Sequence, residues 1–352
     1  MSGPGTESEP RIFDADPIRR AIGFEDLIEP VARALADFGT GLGEAPISVF
    51  APAGDEGDVH VKSAWLPGRS IFTVKVGTWF TARARNGRSA ADGYVVVHDA
   101  TTGEPIALLR DEHHLTDVRT AAAGALATRL LARADATVLA VLGTGTQAYL
   151  QSLAAGAVRP IDTVLVRGRN PASARRLQNA LAAARPNWAV SVVADAERAV
   201  RAADVIVTAT AGREPVVAGP WLRPGQHVTA IGADDPGKAE LDPDCFRRAD
   251  LVVVDSRIEA GRFAGDLRAA LDAGAITAAE VETELGDLVL GSRPGRPARE
   301  DITIAKLIGL GAQDLAAAET ALHRLRAAPT PHRPTPASAL DLTDAADPVR
   351  RR

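Results

Sequence analysis

Four side chains carry the first hints of chemistry. Lys75 stands mid-strand in SIFTVKVGTW, where Phe72, Val74 and Val76 share one face by the two-residue period and Lys75 points the other way. Lys62 sits likewise within VHVKSAW. Read alone, each is a solvated strand lysine, since lysines mostly stay exposed. Read as lining a cleft, the two ammonium groups together with Arg119 suit a carboxylate. Arg119 falls in the opening turn of the helical stretch TDVRTAAAGALATRLLAR, for which Thr116 is the expected N-cap. A cation there opposes the helix dipole by about 0.3–1 kcal/mol, and a capping box would place Glu or Gln at that position. Arg119 therefore either builds an anion site beside the free helix N–H groups or pairs with Asp117 or another surface acid. Asp234 follows the strand HVTAI, in GADDPGKAEL. Ligands of open α/β sheets bind outside the carboxyl ends of the strands, which would aim Asp234 at a nicotinamide; the other reading of Asp-Asp-Pro-Gly is turn chemistry. Lys238, four residues on, reaches a cofactor or caps the loop.

A second constellation lies in TVLAVLGTGTQAYLQSLAA, residues 137–155. An apolar strand runs into Gly143-x-Gly145-x-x-Ala148 and then a helix, the context that the dinucleotide fingerprint requires. Pyrophosphate would sit on the N–H groups at the helix start. About twenty residues on, where an acid would hold the ribose hydroxyl of NAD, the chain has Gly168 flanked by Arg167 and Arg169. Arginine there accommodates the phosphate of NADP, so NADP(H) is favoured over NAD. His113 and His114 are adjacent, lack the spacing of a metal pair and read as loop residues. No metal site is expected. Cys245, the one cysteine, reads as a packed small hydrophobe, and an intrachain disulfide is excluded.

These residues need elements to hold them. Phe24 to Phe38 has a helical apolar period. Short β-like runs follow at Ile47–Phe50, Val59–Trp65, Ser70–Trp79 and Tyr94–Asp99, with a hairpin turn at 100–105, which suggests a mostly antiparallel sheet with one face covered. From Thr137 strands alternate with helices, at Thr137–Leu142, Thr163–Val166, Ala189–Val193, Val205–Thr208, His227–Ile231 and Leu251–Val254. That alternation argues for a doubly wound parallel sheet. The expected fold is α/β, a Rossmann sheet plus an α+β domain. The expected organisation is a flexible arm at 1–20, a first domain at 21–125 completed by a helix at 312–327, a dinucleotide domain at 126–311 and a proline-rich tail at 328–352.

The length and composition agree with an ordinary soluble globular protein of about two domains. It is 46% hydrophobic and 24% charged, with a net charge of −5 and no long basic run, which disfavours nucleic acid and membrane surfaces. The start of the chain has no apolar signal-peptide core, and no uninterrupted apolar run suggests a membrane span. A cytoplasmic protein is the expectation.

The segments LTDVRTAAAGALATRLLA, VLGTGTQA, IGADDPGKAELD and ITIAKLIGLGAQDLAAA, in that order, resemble the ornithine cyclodeaminase/μ-crystallin family over about residues 25 to 326. VHVK and DEHHLTDVRTAAAGA are similar to its ectoine-utilisation cyclodeaminase branch. The resemblance implies a homodimer whose N-terminal part, joined by the C-terminal helix, makes the dimer. It implies that Lys75 and Arg119 bind the substrate carboxylate, helped by Lys62, and that Asp234 donates and accepts protons. Gly143, Gly145, Thr146, Gln147, Thr210, Ile231, Gly232, Ala233 and Lys238 would line the cofactor, with Arg119, Arg167, Gly168 and Arg169 beside it. Leu307 takes the place of a cofactor-contacting serine, and Ile308 that of a neighbour touching substrate. The loop GTWFTARARNGRSAADG replaces a proline-asparagine and GLP loop that shapes the pocket. The implied reaction is NAD(P)-dependent: oxidation of an amino acid to its imine, cyclisation with loss of ammonia and re-reduction. The alternatives are an NADPH-dependent cyclic imine reductase or amino-acid dehydrogenase, and a non-enzymatic ligand binder of the crystallin kind.

Overall fold

The computed structural model describes residues 9–327. Strands β1 (Arg11–Asp14), β2 (Ile47–Phe50), β3 (Gly57–Ala64), β4 (Ile71–Phe80), β5 (Ala91–Asp99) and β6 (Pro105–Arg110) form a six-stranded sheet in the order β1-β6-β5-β4-β3-β2. It is antiparallel apart from β1, which pairs parallel with β6. Helices α1 (Ala15–Ala21), α2 (Ile28–Gly39), α3 (Thr81–Arg85) and α4 (His114–Leu131) belong to this half of the chain. The β3/β4 register sets Lys62 directly opposite Lys75. Ala64, Ile71, Thr73, Val95, Val97 and Leu109 lie on the same buried side, closed over by α12 (Gly311–Ala327), which packs on β3, β4 and α2.

The second sheet has eight strands, all parallel. They are β7 (Val138–Leu142), β8 (Thr163–Arg167), β9 (Ala189–Val192), β10 (Val205–Thr208), β11 (His227–Ala230), β12 (Leu251–Val254), β13 (Thr283–Glu284) and β14 (Thr303–Lys306), ordered β13-β12-β14-β11-β10-β7-β8-β9. Between them run α5 (Thr146–Val158), α6 (Pro171–Ala184), α7 (Ala196–Ala202), α8 (Pro243–Arg248), α9 (Arg257–Phe263), α10 (Gly265–Asp272) and α11 (Leu285–Leu290). This is the expected Rossmann sheet. The order reverses between β7 and β10, the switch point at which such sheets bind ligands.

Helix α4 joins the halves. It meets α2 and α12 on one side and α5, β11 and β14 on the other. A helix buried all round needs no polar face, and its alanines and leucines are almost all buried. The expected division at 125/126 falls inside it. Cys245 is fully buried, as expected.

Several expectations need correction. The arm supposed to run to residue 20 is already a strand and a helix from Arg11, because β1 finds its partner at β6 and α1 buries Ala15 and Ile18. Thr116 is not the N-cap. Helix α4 starts two residues earlier, and the Asp111 carboxylate accepts from the Leu115 N–H at 2.7 Å. His113 is the cap, at φ 74, and His114 opens the helix rather than lying in a loop, its Nε2 bonded to the Ile22 carbonyl at 3.0 Å. Most of the loop 77–93 is an extension of the β4–β5 hairpin with α3 at its tip. Strands β13 and β14 were missing from the expected list. The proline-rich tail lies outside the described residues.

Candidate active site

The inner face of the first sheet delivers Lys62 and Lys75 side by side, and α4 brings Arg119 to them. None of the three is a surface charge: each is no more than 5% exposed. The solvated-lysine reading is therefore overturned, because α12 and the 307–310 segment cover this face. The partner that holds Lys75 and Arg119 is Asp314, on α12. Its Oδ2 lies 2.8 Å from Lys75 Nζ and its Oδ1 2.9 Å from Arg119 Nε. Lys75 also donates to Thr116 Oγ1 at 3.2 Å, and Arg119 Nη1 to Gln313 Oε1 at 2.9 Å. Arg119 thus sits in the second turn of α4 and faces Asp314, neither beside free N–H groups nor paired with Asp117, whose side chain meets His113 and Gln147.

Lys62 donates to the carbonyls of Ile308 at 3.1 Å and Gly309 at 2.7 Å. Behind that turn, Asp255 Oδ2 accepts from both N–H groups, at 3.1 and 2.6 Å. Ile308, expected to touch substrate, is buried and presents its main-chain oxygen to Lys62. Gly309 has φ 77, and a Cβ there would collide with the Arg119 guanidinium, so the arginine approaches only because the residue is glycine. Two cations thus pair with one carboxylate, and the third, Lys62, lies within electrostatic reach of it. Burial, with Lys75 and Arg119 adding repulsion, brings the Lys62 ammonium down to about 7. Burial likewise lowers Lys75, against the pull of Asp314. The pocket has charge to spare for another carboxylate.

On the other side of the cleft, Asp234 Oδ1 pairs with Lys238 Nζ at 2.7 Å, and Lys238 also reaches Asp235 at 3.1 Å. Burial pushes the Asp234 carboxyl up, but Lys238, then His60 and Lys62, override it and hold it well below the usual carboxylate range. Lys238 therefore serves the loop in this structure, and Asp234 is firmly ionised. His60 and Asp58 share the inner side of β3 with Lys62, by strand parity. Burial lowers the His60 imidazole to about 4, so it is neutral near pH 7. Asp234, Lys62 and His60 lie within electrostatic reach of one another, so the lysine pocket and the Asp234 loop are neighbours.

The glycine turn stands at the switch point. Gly143 has φ 134, and a Cβ would strike the Ala209 carbonyl at the end of β10. Gly145 caps α5 without a side-chain hydrogen bond, the first turn of α5 holds no acid, and the space over Gly145 is open. These features fit a pyrophosphate. Thr146 starts α5 and is exposed, whereas Gln147 is tied to Asp117 at 3.1 Å. Thr210, Ile231, Gly232 and Ala233 follow the neighbouring strands β10 and β11, and Leu307 hydrogen-bonds to the Ala230 carbonyl at 3.0 Å. At the end of β8, Arg167 Nη1 donates to the Gly168 carbonyl and Arg169 is exposed. A Cβ on Gly168 would meet the Thr144 methyl, which leaves little room for an acid there.

Reasoning from the sequence missed Asp314, Asp255 and Glu240. Asp314 stood in the quoted GAQDLAAA, as a lone acid at the start of an alanine-rich helix, and that was the available signal. Asp255 and Glu240 gave none, since each acts on backbone N–H groups brought in by remote segments.

Residues 10–328 match the sequence profile of the ornithine cyclodeaminase/mu-crystallin family. An uncharacterised cyclodeaminase of Sinorhizobium fredii is 40% identical over 268 residues, 76% of this chain and 80% of that protein. Among solved structures, Delta(1)-pyrroline-2-carboxylate reductase of Thermococcus litoralis, in complex with NADH and L-proline, superposes with a TM-score of 0.84 at 28% identity, covering 89% of this chain and 97% of that one. An archaeal alanine dehydrogenase dimer with bound NAD gives 0.82 at 29% identity, covering 90% and 95%.

Proposed function

The chain belongs to the ornithine cyclodeaminase/mu-crystallin family, and from that premise we propose that it is an NAD(P)-dependent enzyme acting at the α-amino carbon of an amino acid or of the corresponding imine. The observation that carries this reading is the buried excess of Lys62, Lys75 and Arg119 over Asp314, within electrostatic reach of an ionised Asp234. An amino acid zwitterion matches that polarity, carboxylate to the cations and amine to the aspartate.

A bound nicotinamide supplies the hydride acceptor and donor. Lys75 and Arg119 bind the substrate carboxylate, Lys62 adds the third charge, and their fixed partners hold its orientation. Asp234 takes a proton from the α-amine as the α-carbon loses its hydride, so that an amine becomes an imine. For the carboxylate to act as a base, its pair with Lys238 must open, because that pair holds it ionised. With a substrate bearing a terminal amine, that amine attacks the imine carbon, ammonia leaves, and the hydride returns to give a cyclic amino acid. L-ornithine would give proline with no net consumption of cofactor.

A second outcome on the same site is net reduction of a cyclic imine, or reversible amino-acid dehydrogenation. Arg167 and Arg169 at the end of β8 favour it, since they suit the phosphate of NADP(H) and NADPH commonly serves net reductions. A homodimer completes the reading. The outer face of the first sheet carries Phe50, Phe72, Val74, Val76, Tyr94 and Val96, with Phe50 52% and Tyr94 42% exposed and the others half-buried among the described residues, and a face of that kind calls for a partner. The test is a panel of amino acids, oxo acids with ammonia, and cyclic imines, assayed with both cofactors for net redox and ammonia release. Proline from L-ornithine at catalytic NAD(P)+ supports cyclodeamination, and stoichiometric NADPH loss with cyclic imines supports reduction. Inertness across the panel, with cofactor bound, rejects both in favour of a ligand-binding protein.

A further inference from the structure

We propose that Glu240 is the positioning residue that locks the two cofactor-facing loops, after β10 and after β11, into one register. The proposal rests on the cofactor site argued above. Glu240 is fully buried, and four donors converge on its carboxylate. Oε1 accepts from the Thr210 N–H at 2.6 Å and from Thr210 Oγ1 at 3.0 Å. Oε2 accepts from the Gly232 N–H at 2.6 Å and from Thr208 Oγ1 at 2.8 Å. Thr208 closes β10, Thr210 follows it, and Gly232 follows β11. One side chain therefore spans the ends of adjacent strands where the nicotinamide would lie.

The clamp is built from both sides. The Glu240 main chain is itself fixed, its carbonyl accepting from Val216 and Val217 at 2.7 and 3.0 Å. A Cβ at Gly232 would collide with the Thr210 carbonyl and the Glu240 carboxylate, so the contact also requires glycine there. Behind the carboxylate, fully buried Lys306 at the end of β14 pairs with fully buried Asp266 at 3.4 Å. Burial raises the Glu240 carboxyl, and the Lys306 ammonium opposes that rise without cancelling it. Asp234 lies two residues beyond Gly232, so the clamp also fixes the proton-handling group.

The main-chain N–H groups of Thr210 and Gly232 each meet a different oxygen, so both positions must accept, as a carboxylate's do. In Glu240→Gln the amide nitrogen must face one of the main-chain N–H groups; a threonine hydroxyl can turn to accept, but an N–H cannot. The shape is kept and one loop is released. The experiment measures NADH and NADPH binding by fluorescence titration, steady-state constants with the best substrate of the panel, and thermal unfolding. The proposal expects a dissociation constant raised about tenfold, as for one buried hydrogen bond lost. It also expects kcat at saturating cofactor lowered about a hundredfold, as for a misplacement on the 1 Å scale, with substrate KM within about twofold because the carboxylate pocket is untouched. A folded variant with a lower Tm but unchanged cofactor affinity and kcat overturns it. If Glu240→Gln does not fold, Thr208→Val decides: it removes one donor without stranding an N–H, and unchanged binding and kcat reject the role. Wild-type protein that binds neither cofactor would defeat the cofactor site itself. Wild-type binding with variants indistinguishable from it defeats only the role of Glu240.

Discussion

Lys62 makes the pocket titratable near neutrality. Its folded pKa, lowered to about 7 by burial and by its two cationic neighbours, means that the charge is present below that pH and is lost as pH rises through it. A substrate carboxylate needs that charge, so kcat/KM is expected to fall on the alkaline side of about 7, with a single-proton limb in the pH–rate profile. Lys62→Arg should carry the plateau to higher pH, because a guanidinium does not titrate there, and Lys62→Met should abolish the limb along with most carboxylate affinity. A limb unchanged in both variants would assign it elsewhere. Asp234→Asn is expected to cost about 10²–10⁴ in kcat, the usual span for a proton-transfer group, with cofactor affinity unchanged by titration. Lys75, Arg119 and Asp234 could be singled out in the sequence because each stood against its local pattern. What was not legible was the burial of Lys75. Phe72, Val74 and Val76 look like the core side of β4, yet they are the half-exposed side, and the lysine faces the interior. Only the acid on α12, some 240 positions later in the chain, makes that arrangement tolerable.

The elements place these residues through a few close approaches. Gly143 at φ 134 lets β7 meet the Ala209 carbonyl, and Gly309 at φ 77 lets Arg119 enter the pocket. Alanine at either position adds strain of about 1–3 kcal/mol. The two should differ in what they lose: Gly143→Ala cofactor binding, Gly309→Ala carboxylate binding, each read by titration alongside thermal unfolding. If the end of β8 sets cofactor choice, as proposed, Arg169→Ala is expected to lower the preference for NADPH over NADH in paired kcat/KM measurements. The glycine turn, the strand–helix alternation and the closing helix were readable because their patterns are local. Strand β14 was not, because TIAK is four residues long, ends in a lysine and enters the sheet between β11 and β12, out of chain order. Strand β1 was not, because its partner lies almost a hundred residues away in β6.

At the scale of the whole molecule, α4 ties the lysine pocket to the eight-stranded sheet, while the outer face of the first sheet leaves Phe50 and Tyr94 exposed among the described residues. Val76→Arg, at the middle of that face, is expected to turn a dimer into a monomer in sedimentation velocity, while cofactor still binds. A wild-type monomer would refute the proposed pairing. Among the described residues no helix is long and apolar enough to cross a membrane. The central claim, however, is that the cleft brings an amino acid's α-carbon to a nicotinamide. The most direct measurement is a rapid-mixing experiment with NAD(P)+ and L-amino acids of the panel, protiated or deuterated at the α-carbon, following the reduced nicotinamide. The account predicts that reduced cofactor forms, in transient or net amount, more slowly with the deuterated substrate, and that the label is found on the nicotinamide. Tight cofactor binding with no reduction by any of these amino acids, and no oxidation of NAD(P)H by their imines, would contradict it.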